Sequence, residues 1–411
     1  MPGTLYLVAT PIGNLDDMPP RVAATFGAAD FIAAEDTRVT LRLLNHLGLK
    51  KPMVSYYEHA LHHGEAILQR IEAGENCALC SDAGMPCISD PGEQIVREAH
   101  ERGIRVIMDL VVNHTSDEHP WFQASRRGEE PYKDYYIWRK PKKDGTLPNN
   151  WDSMFEGKAW QYDEVRKAYY LHIFAIKQPD LNMDNPRVRA EVKKILRFWL
   201  DMGVDGFRED VITFISKTEG LPDSHPWLPA ANGYKYYSNG PRVHQYLMEF
   251  KRDVLDCYDC FTVGESPLTT ADIALQYVTE GPDQVLDEMI AFSHMEADCF
   301  MIDMVQLPFN LVKMKRAFSD WQYKLAGRCW NALYIENHDH PRIISRYGNE
   351  AYRNESGKML AAMYMLQRGT PFIYQGQEIG MLNLRLPDVN MYEDVMTHNA
   401  VRIASKIMPK K

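Results

Sequence analysis

The sequence predicts an α/β protein built from two dissimilar parts: a small parallel α/β domain over residues 1–97 and a larger strand–helix repeat over residues 98–411. Three observations carry this expectation. Short β-prone runs alternate with helix-period segments through the first part, with Gly and Pro punctuating the strand ends. From residue 103 the repeating block lengthens, and each apolar strand runs into polar residues at its C-terminal end. Between the first two of these longer strands lies a Trp-, Tyr-, Pro- and Asn-rich stretch, residues 117–183.

In the first part, residues 4–10 (TLYLVAT), 30–36 (DFIAAED), 52–57 (PMVSYY) and 76–82 (NCALCSD) read as strands. Residues 40–47 and 64–73 carry apolar positions at helical spacing between them. Alternation of this kind predicts a parallel sheet with ligand-binding loops at the strand ends.

In the second part the expected strands lie in residues 103–114 (GIRVIMDLVVNH), 203–211 (GVDGFREDV), 260–267 (CFTVGESP), 297–304 (ADCFMIDM), 331–342 (NALYIENHDHPR) and 370–381 (TPFIYQGQEIGM). Apolar strands that end in His, Asp, Glu and Arg are the pattern of a (β/α)8 barrel, whose catalytic groups sit on its C-terminal face. Residues 117–183 are expected to form an inserted subdomain walling that face.

The chain has 411 residues, 45% of them hydrophobic, and a formal net charge of −10. That balance argues against nucleic-acid binding through overall charge, because phosphate neutralisation needs clustered cations. The basic run at residues 139–143 is expected to be solvated loop surface. No basic-then-apolar leader and no apolar window of membrane-spanning length is present, so the cytoplasm is expected and a membrane partner is not. Seven cysteines fit reduced thiols better than a disulfide framework. The pairs Cys77/Cys80 and Cys257/Cys260 have C-x-x-C spacing, but one lies in an apparent buried strand and the other where a helix meets a strand. No metal site is expected from them, nor from His59, His62 and His63 on a wet helix face.

Hydrolysing a glycosidic bond needs two carboxyl groups facing one anomeric carbon. Asp210 and Glu265 end consecutive predicted strands, side by side on one rim, and Asp339 ends a third. Arg208 shares the strand face of Asp210, whereas Glu209 points the opposite way, where a cation is expected to pair with it.

Both parts resemble known families. GTLYLVATPIGNLDD (residues 3–17), AAEDTRVTLRLLNHLG (33–48), SYYEH (55–59) and SDAGMPCISDPG (81–92) resemble the N-terminal domain of the tetrapyrrole-methylase superfamily, in particular the enzymes that methylate a ribose 2′-hydroxyl of small-subunit ribosomal RNA. The resemblance implies that Gly13, Asp82, Gly84, Pro86, Ser89, Asp90, Pro91 and Gly92 belong to loops around S-adenosylmethionine. That family holds its cofactor between two domains, and no second such domain follows, so weak binding or none is expected.

DLVVNH (109–114), GFREDV (206–211), VGES (263–266) and ENHDHPR (336–342), with QPDLN (178–182), resemble the ordered motifs of glycoside hydrolase family 13, in its oligo-1,6-glucosidase and α-glucosidase branch. The resemblance implies that Asp210 is the nucleophile, Glu265 the acid/base, and Asp339 the group gripping the distorted sugar. Arg208 would orient Asp210, His114 and His338 would bond the glucose, and Arg342 would add a nearby charge. Val211 is the residue type seen where α-1,6 links are preferred. The substrate class implied is a small α-linked gluco-oligosaccharide, hydrolysed without a cofactor.

The hydrolase resemblance starts at the family's third barrel strand. It implies an incomplete barrel lacking its first two βα units, the sugar-gripping Asp and Tyr after strand two, and the C-terminal β-domain. Open strand edges are association-prone, so self-association is expected alongside impaired activity. The stretch IVREAHERGIRV (95–106) reads naturally in either family, which fits a hybrid of two gene fragments. An inactive hybrid and an S-adenosylmethionine-dependent methyltransferase fragment are the alternatives to an α-glucosidase.

Overall fold

The computed structural model describes residues 5–7, 25–34, 37–56, 61–80, 101–155, 157–225, 232–300, 305–392, 397–398 and 401. Two compact units make up the chain, Met1–Val106 and Ile107–Lys411.

The first unit holds strands β1 (Leu5–Leu7), β2 (Phe31–Ala34), β3 (Met53–Ser55) and β4 (Cys77–Cys80), with helices α1 (Thr37–His46) and α2 (Leu61–Glu72). Its strands pair in the order β1-β4-β2-β3, all parallel. The central strand β2 is buried at every residue, as a strand covered on both faces must be. Its alternation sorts two cores: Ile32 and Ala34 join Leu43 and Leu44 of α1, while Phe31 and Ala33 join Ile67 of α2. Cys77 and Cys80 lie in β4, buried as expected. The loop residues Gly13, Asp82, Gly84, Pro86, Ser89, Asp90, Pro91 and Gly92 lie outside the described residues, as do His59 and the side chains of His62 and His63.

The second unit is organised on a parallel sheet of β5 (Ile107–Leu110), β9 (Gly206–Glu209), β10 (Phe261–Ser266) and β11 (Glu288–Ala291), in the order β11-β10-β9-β5. A short parallel pair follows, β14 (Ala332–Leu333) with β15 (Thr370–Pro371). Between β5 and β9 the inserted segment contains helix α3 (Pro120–Arg127) and an antiparallel sheet, β6 (Trp138–Arg139), β8 (Ala168–Leu171) and β7 (Trp160–Asp163). Helix α4 (Pro186–Asp201) then crosses back to the sheet. Its Asn185 cap accepts from the Arg187 amide, and Val188, Val192, Leu196 and Leu200 form one buried stripe at a spacing of four.

One expected strand is corrected. Residues 293–298 form a tight helical turn, and β12 (Cys299–Phe300) pairs antiparallel with β13 (Val305–Gln306), so residues 297–300 are no barrel strand, and the rest of the expected strand, 301–304, lies outside the described residues. The shorter run EMIA supplies β11 instead. Within the longer apolar run, Asp298 is committed to a buried bidentate pair with Arg346, at 2.7 and 2.9 Å. Gly206, at φ +149°, is needed where β9 meets β10, because a Cβ there would stand 1.8 Å from the Phe261 carbonyl oxygen.

Candidate active site

Register places the site. Asp109 of β5 and Val263 of β10 both lie level with Arg208 of β9, and the strand period then aims Arg208, Asp210 and Glu265 to one face. The Asp210 amide continues the ladder by donating to the Leu110 carbonyl at 3.0 Å.

One guanidinium ties three carboxylates together. Arg208 Nη1 lies 2.6 Å from Asp109 Oδ1 and 2.7 Å from Asp210 Oδ1, and its Nη2 lies 2.6 Å from Glu265 Oε1. These three anions hold the Arg208 pKa above its usual value against the effect of burial. Glu265 moves up as well, to about 7. Burial is the main cause. The Arg208 charge opposes it, while the negative charges of Asp210 and Asp339 add to it.

Val211 follows Asp210 with a left-handed backbone, φ +36° and ψ +40°, a conformation that a β-branched residue adopts only under constraint. Its amide donates to Glu265 Oε2 at 3.4 Å. Glu209 faces the other way and is buried, but among the described residues no cation forms an ion pair with it. Burial, aided by Asp287, raises its carboxyl to about 8, so it stays neutral instead of pairing.

The remaining expected residues divide. His114 is buried, with its ring nitrogens facing the side-chain amides of Gln178 at 3.1 Å and Asn113 at 3.4 Å, and burial lowers its pKa. The charge of Asp210 reaches it. Asp339 and His338 sit 3.5 Å apart on a turn where their side chains are 57% and 60% exposed. Arg342 is turned inward: its Nη1 meets Glu336 Oε1 at 2.5 Å and the Gln375 carbonyl at 2.8 Å. Glu336 Oε2 also accepts from the Ile343 amide at 2.9 Å, closing the turn that carries His338 and Asp339. Arg342 therefore braces that turn.

Two groups escaped the sequence reading. Asp109 is the third partner of Arg208, and its place in DLVVNH, level with GFRED on the next strand, was the available signal. Lys217, buried, donates to Asp180 at 2.6 Å, to Asn113 Oδ1 at 2.9 Å and to the Phe214 carbonyl at 2.8 Å. It joins QPDLN to the loop that follows Asp210, and no sequence spacing announces it.

Residues 89–408 match the family model for the alpha-amylase catalytic domain, and residues 4–108 match that of the tetrapyrrole (corrin/porphyrin) methylases. Oligo-1,6-glucosidase of Parageobacillus thermoglucosidasius is 51% identical over 310 residues, covering 74% of this chain and 55% of the relative. That of Heyndrickxia coagulans is 48% identical over 331 residues, covering 77% and 59%. Among solved structures, trehalose-6-phosphate hydrolase of Bacillus licheniformis superposes with a TM-score of 0.71 at 43% identity, covering 78% of this chain and 57% of that one. Isomaltulose synthase of Erwinia rhapontici NX5 gives 0.73 at 35% identity, with the same shares. The chain thus spans little more than half the length of these relatives. A methylase-like segment is joined to a larger part that the family model covers over most of its length, and the chain belongs to the alpha-amylase family of glycoside hydrolases.

Proposed function

We propose that the chain acts as a retaining α-glucosidase on short α-1,6- or α-1,4-linked gluco-oligosaccharides. The observation that carries this reading is the single guanidinium of Arg208 holding Asp210 and Glu265 at 2.7 and 2.6 Å. Two carboxylates bound to the ends of one guanidinium suit the close spacing of retaining enzymes, about 5–5.5 Å, better than the wider inverting gap of about 6.5–9.5 Å.

The chemistry follows from the environments. Asp210, beside Arg208, attacks the anomeric carbon as a carboxylate and displaces the leaving oxygen, which takes the proton of Glu265. Water, deprotonated by Glu265, then breaks the glucosyl ester, and both groups return to their starting states. No cofactor enters this cycle. Asp339 and His338 on their turn, and His114 beside the charge of Asp210, are the groups proposed to bond the sugar hydroxyls. The exposure of Asp109, Asp339 and His338, each above 50%, supports a loosely held sugar and reduced turnover, since about 1 Å of misplacement costs on the order of a hundredfold.

Hydrolysis of p-nitrophenyl α-glucoside and isomaltose by the chain, beside Asp210→Asn and Glu265→Gln, tests the reading. Turnover abolished in both variants supports it; a rate unchanged in both, or none in the wild type, overturns it in favour of an inactive hybrid. The match of residues 4–108 to the methylases sustains a second reading, S-adenosylmethionine binding. Calorimetry of the whole chain with S-adenosylmethionine checks it, and no heat of binding is the outcome expected.

A further inference from the structure

Behind the two carboxylates, on the face of the sheet turned away from the sugar, lies a chain of buried hydroxyls that the proposed mechanism does not use. Ser266 directly follows Glu265 and therefore points to the opposite face. Its Oγ donates to Thr213 Oγ1 at 3.2 Å and also bonds Thr269 Oγ1. Thr269 accepts in turn from Asn239 Nδ2 at 3.2 Å, and Asn239 Oδ1 accepts from the Tyr277 hydroxyl at 3.0 Å. The backbone repeats the link, because the Asn239 amide donates to the Thr213 carbonyl at 2.9 Å. Thr213 and Ser266 are wholly buried, and Thr269 and Tyr277 nearly so.

The placement of the two ends gives the chain its meaning. Thr213 stands three residues beyond Asp210, in the turn that starts from the left-handed Val211. Ser266 stands one residue beyond Glu265. The hydrogen bond between them joins the two strand ends that carry the nucleophile and the acid/base. Arg208 holds the same two carboxylates from the front, but with interactions that change strength as the charges of Asp210 and Glu265 change through the reaction. A hydroxyl–hydroxyl bond in a dry layer has no such dependence and holds geometry constant through both steps.

We propose that Ser266 and Thr213 are positioning residues that set the reach of the Glu265 proton donor relative to Asp210, through the buried hydroxyl chain Thr213–Ser266–Thr269–Asn239–Tyr277. The proposal rests on the α-glucosidase reading of the same site.

The leaving group separates positioning of the acid from plain structural support. The second glucose of isomaltose would depart as a poor alkoxide and needs the proton of Glu265; fluoride departs readily from α-glucosyl fluoride without it. Steady-state kinetics on both substrates, for the wild type, Ser266→Ala and Thr213→Val, reads the difference, with thermal unfolding of each variant alongside. The expected result is a kcat/KM on isomaltose lowered about ten- to a hundredfold, and a kcat/KM on glucosyl fluoride, which reports the first step alone and not the later water attack that Glu265 assists, within about threefold of wild type. The double variant is expected to lose no more than the worse single one, because both remove the same bond. Equal losses on the two substrates, or additive losses in the double variant, overturn the proposal and leave the hydrolase reading standing. A wild type that cleaves neither substrate overturns both. Should Ser266→Ala not fold, the comparison of substrates on Thr213→Val decides alone.

Discussion

Arg208 Nη2 lies 2.6 Å from Glu265 Oε1, yet the Glu265 carboxyl is held up near 7. A guanidinium at that distance favours the carboxylate, but it is shared with Asp109 and Asp210, and Glu265 is the most buried of the three acids. Desolvation together with the neighbouring negative charges therefore outweighs a partner already divided among competitors. The result is an acid that still carries its proton up to about neutral pH.

The pH profile follows from that pair. Cleavage of isomaltose is expected to fall as pH rises through about 7, because Glu265 loses the proton it must donate. Glu265→Gln should remove this limb together with nearly all activity on isomaltose. A profile flat from neutral to alkaline pH in the wild type would count against Glu265 as the acid.

Arg208→Lys tests the shared guanidinium. An ammonium is a point charge and cannot bond three carboxylates in fixed directions, so kcat is expected to drop about a hundredfold or more, on the scale of losing one charge-stabilising donor. Steady-state kinetics on p-nitrophenyl α-glucoside reads the effect, and a loss confined to KM would contradict it.

Glu209 makes a stability prediction. Its carboxyl is raised to about 8 from an ordinary 4.5, so the folded state binds the proton more tightly than the unfolded chain does. The stability attached to that proton is complete below about pH 4.5 and is lost as pH rises through 8, by about 1.4 kcal/mol per unit at most. Glu288, raised to about 7 by burial, acts in the same direction. Glu209→Met is expected to stabilise the fold near pH 8 and to flatten its decline between pH 5 and 8, as measured by urea unfolding at several pH values. An unchanged slope would mean that Glu209 is solvated.

Lys217 holds a buried ion pair with Asp180, the side chains being 4% and 0% exposed. Removing one partner strands a buried charge, so Lys217→Met is expected to cost about 3–5 kcal/mol in chemical unfolding, and the double variant Lys217→Met/Asp180→Leu to recover a large part of it. Equal stability of single and double variants would show that packing, not the charge, is what was lost.

The amino-acid order alone determined the two-part architecture, the family motifs and the placing of Asp210 and Glu265 at neighbouring strand ends, because strand alternation and strand-end position are local properties. Arg208 and Asp210 share a face by the two-residue period, and Glu265 ends the next strand. Other features depended on contacts that local pattern does not encode. Glu209 was read as the partner of a cation because a charged residue facing inward demands one; only packing showed that burial and the nearby Asp287 hold its carboxyl up instead. The run ADCFMIDM was the better strand by composition, yet Asp298 is claimed by Arg346 from a helix 48 residues onward, and the shorter EMIA completes the sheet. Lys217 finds Asp180 and Asn113 across 37 and 104 residues, and Asp109 meets Arg208 across 99. Such pairings are set by strand register and helix-layer packing, which bring distant residues together only once the whole chain has folded.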